Sequence, residues 1–218
     1  WRTDKGYTTT FKYSDILDLF YKKNNSFVEI HFYSKKNELL KKLKFENLDY
    51  SNELLINANL LDGLEDYGVF YIYHSLDEKS DKINYENLLI SNRCYLGFSI
   101  NNNLNSFVHG NTLAKYQNLN GEKNNTNIDI VKTSLFSNEI YRIQNYFDNF
   151  SKTELFFANP TSKIISLLID ERKYILKPRN SLIVDATKMR SIKYKSNCCL
   201  LRPIIFNYKN DYLDVYHS

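Results

Sequence analysis

Apolar residues along this chain recur at every second position in short runs, and that period marks half-buried β-strands. Phe27 to Tyr33 places Val28, Ile30 and Phe32 on one face and Glu29 and His31 on the other. Thr8 to Tyr13 and Leu39 to Phe45 read as further strands, the latter with Lys41 and Lys44 turned outward. Leu54 to Ile56 and Val69 to Tyr73 follow, with Gly63 and Gly68 punctuating the connection between them. Arg93 to Ile100 and Ser106 to His109 predict a hairpin around Asn101-Asn102-Asn103. One stretch, Ser14 to Tyr21, fits either a short helix with Ser14 as its N-cap or a continuation of the preceding strand.

In the C-terminal half the predicted strands are 128–131, 140–143, 154–158, 163–169, 173–176, 181–185, 198–206 and 212–215. Asn159-Pro160-Thr161-Ser162 and Lys177-Pro178-Arg179-Asn180 supply turns between them. Many short strands with turn signals between them predict an all-β protein of sandwich or barrel type.

The chain also echoes itself. Asn52-Glu53-Leu54-Leu55-Ile56-Asn57-Ala58 is answered by Asn180-Ser181-Leu182-Ile183-Val184-Asp185-Ala186. Phe27 to Phe32 is answered by Thr153 to Ala158, and Asn92 to Leu96 by Asn197 to Leu201. Phe107-Val108-His109 is answered by Val215-Tyr216-His217. The order is kept, which predicts a tandem duplication of one β-rich unit. Offsets of about 128 and 126 positions shrink to about 105 for the third echo, so the first copy holds an insertion of about 20 residues. The segment from Asp66 through Glu86 is its natural place. The expected organisation is a first β-sandwich unit with an inserted hairpin at 1–115, a linker at 116–135 and a second β-sandwich unit at 136–218. The two units either lie side by side or pack as one pseudo-symmetric body.

Composition refines this only modestly. The 218 residues are 43% hydrophobic and 15% aromatic, ample for a folded core. Asn, Lys, Ile, Tyr and Phe are abundant and share AT-rich codons, so a base bias explains part of the tyrosine and asparagine load. Net charge is +4 from 29 basic and 25 acidic residues, and the basic ones are dispersed apart from Lys35-Lys36 and Lys41-Lys42-Lys44. No module or zinc spacing points to nucleic acid, and no nucleic-acid partner is expected. No apolar run reaches transmembrane length, so no membrane partner is expected either. The start at Trp1 without Met suggests a fragment or a processed form.

Of Cys94, Cys198 and Cys199, Cys94 and Cys199 fall at matching places in the repeat, each inside an apolar run, and read as buried structural thiols. No disulfide is expected among them, and a reducing, cytoplasmic location follows. No close-spaced Cys or His pair suggests a metal, and no cofactor fingerprint is present.

Four histidines, His31, His74, His109 and His217, are the scarce titratable groups. Three of them end a strand before a polar loop, where a sheet can present a side chain to a ligand. His109-Gly110-Asn111 is the most pointed string, because Gly110 allows a sharp turn exposing both neighbours. Arg93 and Arg202 lie among apolar residues and call for an anionic partner. The expected ligand-binding set is therefore His109, Asn111, Arg93, His217 and Arg202, with Arg93 facing His109 across the hairpin. A second kind of site is an aromatic sheet face: Tyr71 and Tyr73 share one face by alternation, and Tyr208 and Tyr212 flank an Asn-bearing turn.

No nucleophile motif or credible catalytic carboxylate pair is present, so no catalytic residue is assigned. The expected function is a non-enzymatic binding or assembly module for carbohydrate or another polar or anionic small molecule, with self-association as a further role. The rival is an enzyme acting on a sugar or polar small molecule through a histidine-containing site at the repeat junction.

Overall fold

The computed structural model describes residues 1–22, 25–76, 94–101, 103–109, 133–134, 138–143, 150–189 and 191–217. The chain is all-β with almost no helix. Its strands are β1 (Tyr7–Tyr13), β2 (Ser26–Ser34), β3 (Leu39–Glu46), β4 (Asn52–Ile56), β5 (Gly68–Leu76), β6 (Tyr95–Ile100) and β7 (Ser106–His109) in the first half. The second half contributes β8 (Glu139–Ile143), β9 (Lys152–Ala158), β10 (Ile165–Ile169), β11 (Arg172–Leu176), β12 (Ser181–Asp185), β13 (Ile192–Ser196), β14 (Ile204–Lys209) and β15 (Tyr212–His217). The helix α1 (Ile16–Tyr21) is a single short piece, and no helix among the described residues is long and apolar enough to cross a membrane.

The strands form four small antiparallel, blade-like sheets, ordered β4-β1-β6-β7, β3-β2-β5, β12-β9-β14-β15 and β11-β10-β13-β8. These orders carry the internal repeat. Adding eight to each strand number of the first sheet gives the third, and the same shift turns β3-β2-β5 into β11-β10-β13. The echo of Asn52 to Ala58 in Asn180 to Ala186 thus joins strands of equal place, β4 and β12, and the echo ending in two histidines joins β7 and β15. The echo of Phe27 to Phe32 in Thr153 to Ala158 does not: β2 corresponds to β10, whereas β9 corresponds to β1.

The halves are not two self-contained sandwiches, because the sheet β12-β9-β14-β15 is buried on both faces. Alternate residues of its central strands serve opposite cores. Phe156, Ile204, Phe206 and Val215 pack with Phe11, Val28, Ile30, Phe32, Ile56 and Phe98 of the first half. Leu155, Phe157 and Ile205 pack with Ile165, Leu167, Ile169 and Tyr194 of the second. The edges of two sheets also meet at β7 and β15, where Val215 N–H donates to Ser106 Oγ at 2.9 Å. A core shared across the halves removes the physical basis for a boundary between independent units.

Local differences from the sequence have simple causes. Asp15, not Ser14, caps α1, since its carboxylate accepts from Leu17 and Asp18 N–H while Ser14 Oγ bonds the Tyr50 carbonyl. In β3 the outward lysines are Lys42 and Lys44, opposite His31 and Glu29. Lys41 instead turns back to the Leu60 carbonyl and Asp62. The predicted strand 198–206 breaks at Leu200, whose φ is +56°, and β13 forms upstream of it. The predicted strand 128–131 and most of the predicted linker lie outside the described residues. Among the thiols Cys198 is buried, Cys94 half-buried and Cys199 exposed, so the matching of Cys94 with Cys199 as buried residues does not hold; all three are free cysteines.

Candidate functional site

The predicted histidine cluster is assembled only in part. In the β6–β7 hairpin His109 lies opposite Tyr95, with ring centroids 4.9 Å apart. Arg93, Gly110 and Asn111 lie outside the described residues, so the pairing partner of His109 is Tyr95. Across the sheet edges His217 Nε2 meets the His109 backbone carbonyl. The two histidines of the repeat are therefore neighbours where the edge strands β7 and β15 meet. Arg202 is exposed and near enough to act on His217. Burial is the main force lowering the His217 pKa, aided by electrostatic interaction with His109 and Arg202 and opposed by the His109 and Pro203 carbonyls. Nδ1 of His217 is buried without a hydrogen-bond partner. Among the described residues neither imidazole has a carboxylate partner.

A denser group occupies the outward face of β3-β2-β5. Alternation along β2 turns Glu29, His31 and Tyr33 away from the core that holds Val28, Ile30 and Phe32. Register sets His31 opposite Tyr71 and Glu29 opposite Tyr73 on β5, with Lys42 and Lys44 opposite them on β3. The second half of the chain adds Arg179. It sits in the β11–β12 turn with φ +59°, where Ser181 N–H donates to the Lys35 carbonyl and docks the turn on this sheet. The Arg179 guanidinium lies 5.0 Å from the Tyr33 ring and 5.7 Å from the Tyr71 ring, and donates to Tyr33 Oη at 3.2 Å.

Two polar atoms beneath this face are unsatisfied: His31 Nε2 and Tyr71 Oη are buried without a hydrogen-bond partner. Buried polar groups are nearly always bonded, so each such group calls for an explanation. Burial pushes the Tyr71 phenol up to about 12, so it is a neutral donor and acceptor at physiological pH. Burial and the nearby Lys42 and Arg179 charges lower the His31 pKa against the pull of Glu29. The Tyr73 ring rests 4.6 Å from His31 and is 38% exposed, the accessible plane of the group. Alternation in the sequence puts Tyr71 and Tyr73 on one face of their strand and Glu29 and His31 on one face of theirs, without showing that the two faces join. Arg179 comes from a turn more than a hundred residues away, and no local pattern announces it.

Elsewhere His74 Nδ1, Ser181 Oγ and Asn207 Nδ2 also lack a hydrogen-bond partner, whereas the charged groups around Arg2 satisfy one another. Arg2 is fully buried and bonds Asp4 through two nitrogens at 2.9 Å and Glu154 at 2.7 Å, with its guanidinium 3.9 Å over the Tyr7 ring. Glu154 also accepts from Tyr208 Oη at 2.6 Å and from Lys152, while the Tyr7 and Tyr208 hydroxyls bond each other. His74 Nδ1 lies 3.7 Å from Asp15, whose other oxygen accepts from Ser26 Oγ at 2.6 Å. Because Ser26 bonds the carboxylate rather than the imidazole, these three do not form a nucleophilic triad. Among the described residues no group of three or more His, Cys, Asp or Glu could hold a metal ion.

Comparison with protein-family models, with curated proteins and with solved structures gives no match to the chain.

Proposed function

We propose that the protein is a non-enzymatic binding module that takes a carbohydrate bearing an anionic group on the outward face of β3-β2-β5. The observation that carries this is the set of two buried polar atoms without a hydrogen bond, His31 Nε2 (4.0 Å from Glu29 Oε1) and Tyr71 Oη, in a patch that also holds Arg179 and Lys42. Tyr73 would stack on the sugar ring through its exposed plane, since aromatic faces suit the apolar face of a pyranose. Arg179 and Lys42 would meet a carboxylate or sulfate, with Arg179 oriented by its lodging against Tyr33 and Tyr71. The rival, a hydrolytic or transfer enzyme at His109 and His217, has less behind it: neither imidazole has a described carboxylate to orient it or share its proton.

A glycan array spanning neutral, uronic-acid and sulfated sugars tests this reading. Binding confined to acidic glycans, lost in Tyr73→Ala and weakened in Arg179→Ala, is the expected result. Acidic glycans bound equally by the parent and by both variants, or no glycan bound by the parent, would overturn it.

A further inference from the structure

We infer that the outward face of the sheet β11-β10-β13-β8 is a peripheral docking surface for an anionic lipid bilayer. The inference is independent of the glycan reading and concerns a different sheet.

Register sets out this face residue by residue. The inward side carries Ile165, Leu167, Ile169, Ile192, Tyr194 and Ile143 into the second core. Outward, one row crosses all four strands as Lys173, Leu168, Lys195 and Ile140. Beside it Lys193 stands directly opposite Arg142, and on the other flank Ser166 stands opposite Ile175. The face thus holds four cations and three aliphatics. Among the described residues it holds no carboxylate: the acids of the β10–β11 hairpin, Asp170 and Glu171, sit in the turn beyond Ile169 and Arg172.

Two features separate this face from an ordinary solvated one. First, its charges are mismatched within the protein. Like charges directly opposite each other across two strands destabilise a sheet, and Lys193 and Arg142 are such a pair. Two other sheets set opposite signs across their strands, Glu29 with Lys44 and Lys12 with Glu53, and where β12 and β9 set Asp185 opposite Glu154, Arg2 and Lys152 neutralise the buried acid. None of Arg142, Lys173, Lys193 and Lys195 has an ion-pair partner among the described residues. Second, the aliphatics between them are open: Ile140 is 56% exposed, Ile175 51% and Leu168 39%.

Charge complementarity requires an anionic partner, and the interleaving selects its kind. Each aliphatic in the row lies one strand spacing, about 4.8 Å, from a cation. An acidic protein would need carboxylates and apolar pockets alternating in the same register. A bilayer interface offers anionic headgroups and acyl chains at every point of a plane, so it needs no register, and its affinity grows with both terms. Among the described residues the face carries no aromatic ring on which a nucleic-acid base could stack. This is surface attachment by a sheet and is separate from any membrane-spanning segment.

Co-sedimentation with vesicles of phosphatidylcholine alone, or mixed with phosphatidylglycerol, is the direct test. The parent chain is expected to sediment with the mixed vesicles only, and less as salt rises. Lys193→Glu with Lys195→Glu is expected to lower partitioning about tenfold or more. Ile140→Ser with Ile175→Ser is expected to weaken it without changing the salt dependence. Lys36→Glu with Lys209→Glu, an equal charge change at exposed positions outside this sheet, serves as the control and is expected to keep binding; thermal melts verify that each variant is folded. No sedimentation of the parent with mixed vesicles would overturn the inference. So would equal loss in the control, which would make net charge the cause. Full retention in the isoleucine variant, with displacement by soluble polyglutamate, would assign the face to an acidic protein instead.

Discussion

Arg2 Nη1 lies 2.7 Å from Glu154 Oε2 although 152 positions separate them in the chain, and both side chains are almost fully buried. The pair ties the start of the first half to β9 in the sheet that both cores share. Burial alone would raise the Glu154 pKa, but Arg2, Lys152 and Tyr208 outweigh it and hold the carboxyl down to about 2. Burial also acts against the Arg2 charge, yet Asp4, Tyr7 and Tyr208 more than offset it and raise its pKa.

Removing Arg2 would leave Glu154 buried with Lys152, Tyr208 and the more distant, exposed Lys5 to compensate it. We expect Arg2→Ala to destabilise the protein by about 3 kcal/mol, measured by urea unfolding. The acid dependence has a definite sign. Because the folded-state pKa of Glu154 is depressed, its contribution is fully present above the ordinary glutamate value and is lost as pH falls toward 2. Glu154→Gln should be less stable at neutral pH and should lose less stability over that acid range than the parent.

The thiols should react in order of exposure. Cys198 is buried, and burial raises its pKa to about 12, whereas Cys199 is exposed. The thiolate is the reactive species, so Cys198 should be inert in the folded state. A thiol reagent at pH 8 should modify Cys199 first and Cys198 only on unfolding, with mass mapping to assign the sites. Modification of Cys198 at the rate of Cys199 in folded protein would contradict this.

What was legible in the sequence is what alternation encodes. The strands β2, β4, β10 and β12 were all anticipated, and two echoes marked strands of equal place because Leu54 to Ile56 and Leu182 to Val184 keep the same neighbours. β9 misled, since Leu155, Phe156 and Phe157 are all apolar: a strand between two cores loses its period of two. That same shared sheet is why two independent sandwiches were expected. Strand β13 alternates plainly through Ile192, Lys193, Tyr194 and Lys195, yet the stronger apolar run after Cys198 displaced the predicted strand. Of the candidate site, Tyr71 and Tyr73 were legible by spacing. Arg179 and the pair Arg2 and Glu154 were not, because contacts across such distances in the chain leave no local pattern.

Gly68 opens β5 where another backbone comes closest. A Cβ built there would fall 2.1 Å from the Tyr33 carbonyl oxygen and 3.0 Å from the Trp1 indole, whose Nε1 donates to that same carbonyl at 3.1 Å. Neither neighbour is the free end of a flexible chain. Gly68→Ala is expected to cost about 1–3 kcal/mol by forcing β2 and β5 apart at their first pair, read as a fall in melting temperature. Gly63→Ala is the comparison. It has no atom within 4 Å of its Cβ, but its φ of +88° adds backbone strain, so its cost comes from conformation alone.

His31 offers a pH test of the tyrosine face itself. Its folded-state pKa is lowered first by burial and then by Lys42 and Arg179, with Glu29 pulling the other way. A base whose pKa is depressed by folding contributes stability above its ordinary value, and that contribution is lost as pH falls through the unfolded value of about 6.5. Two-dimensional NMR of the imidazole should give a midpoint below that of an unfolded histidine. Lys42→Ala should raise the midpoint by relieving like-charge repulsion, and Glu29→Gln should lower it further. An anionic ligand on this face would bring a negative charge near His31, Lys42 and Arg179 and move the midpoint upward. A bound acidic glycan that leaves the His31 titration unchanged would therefore be bound somewhere else on the protein.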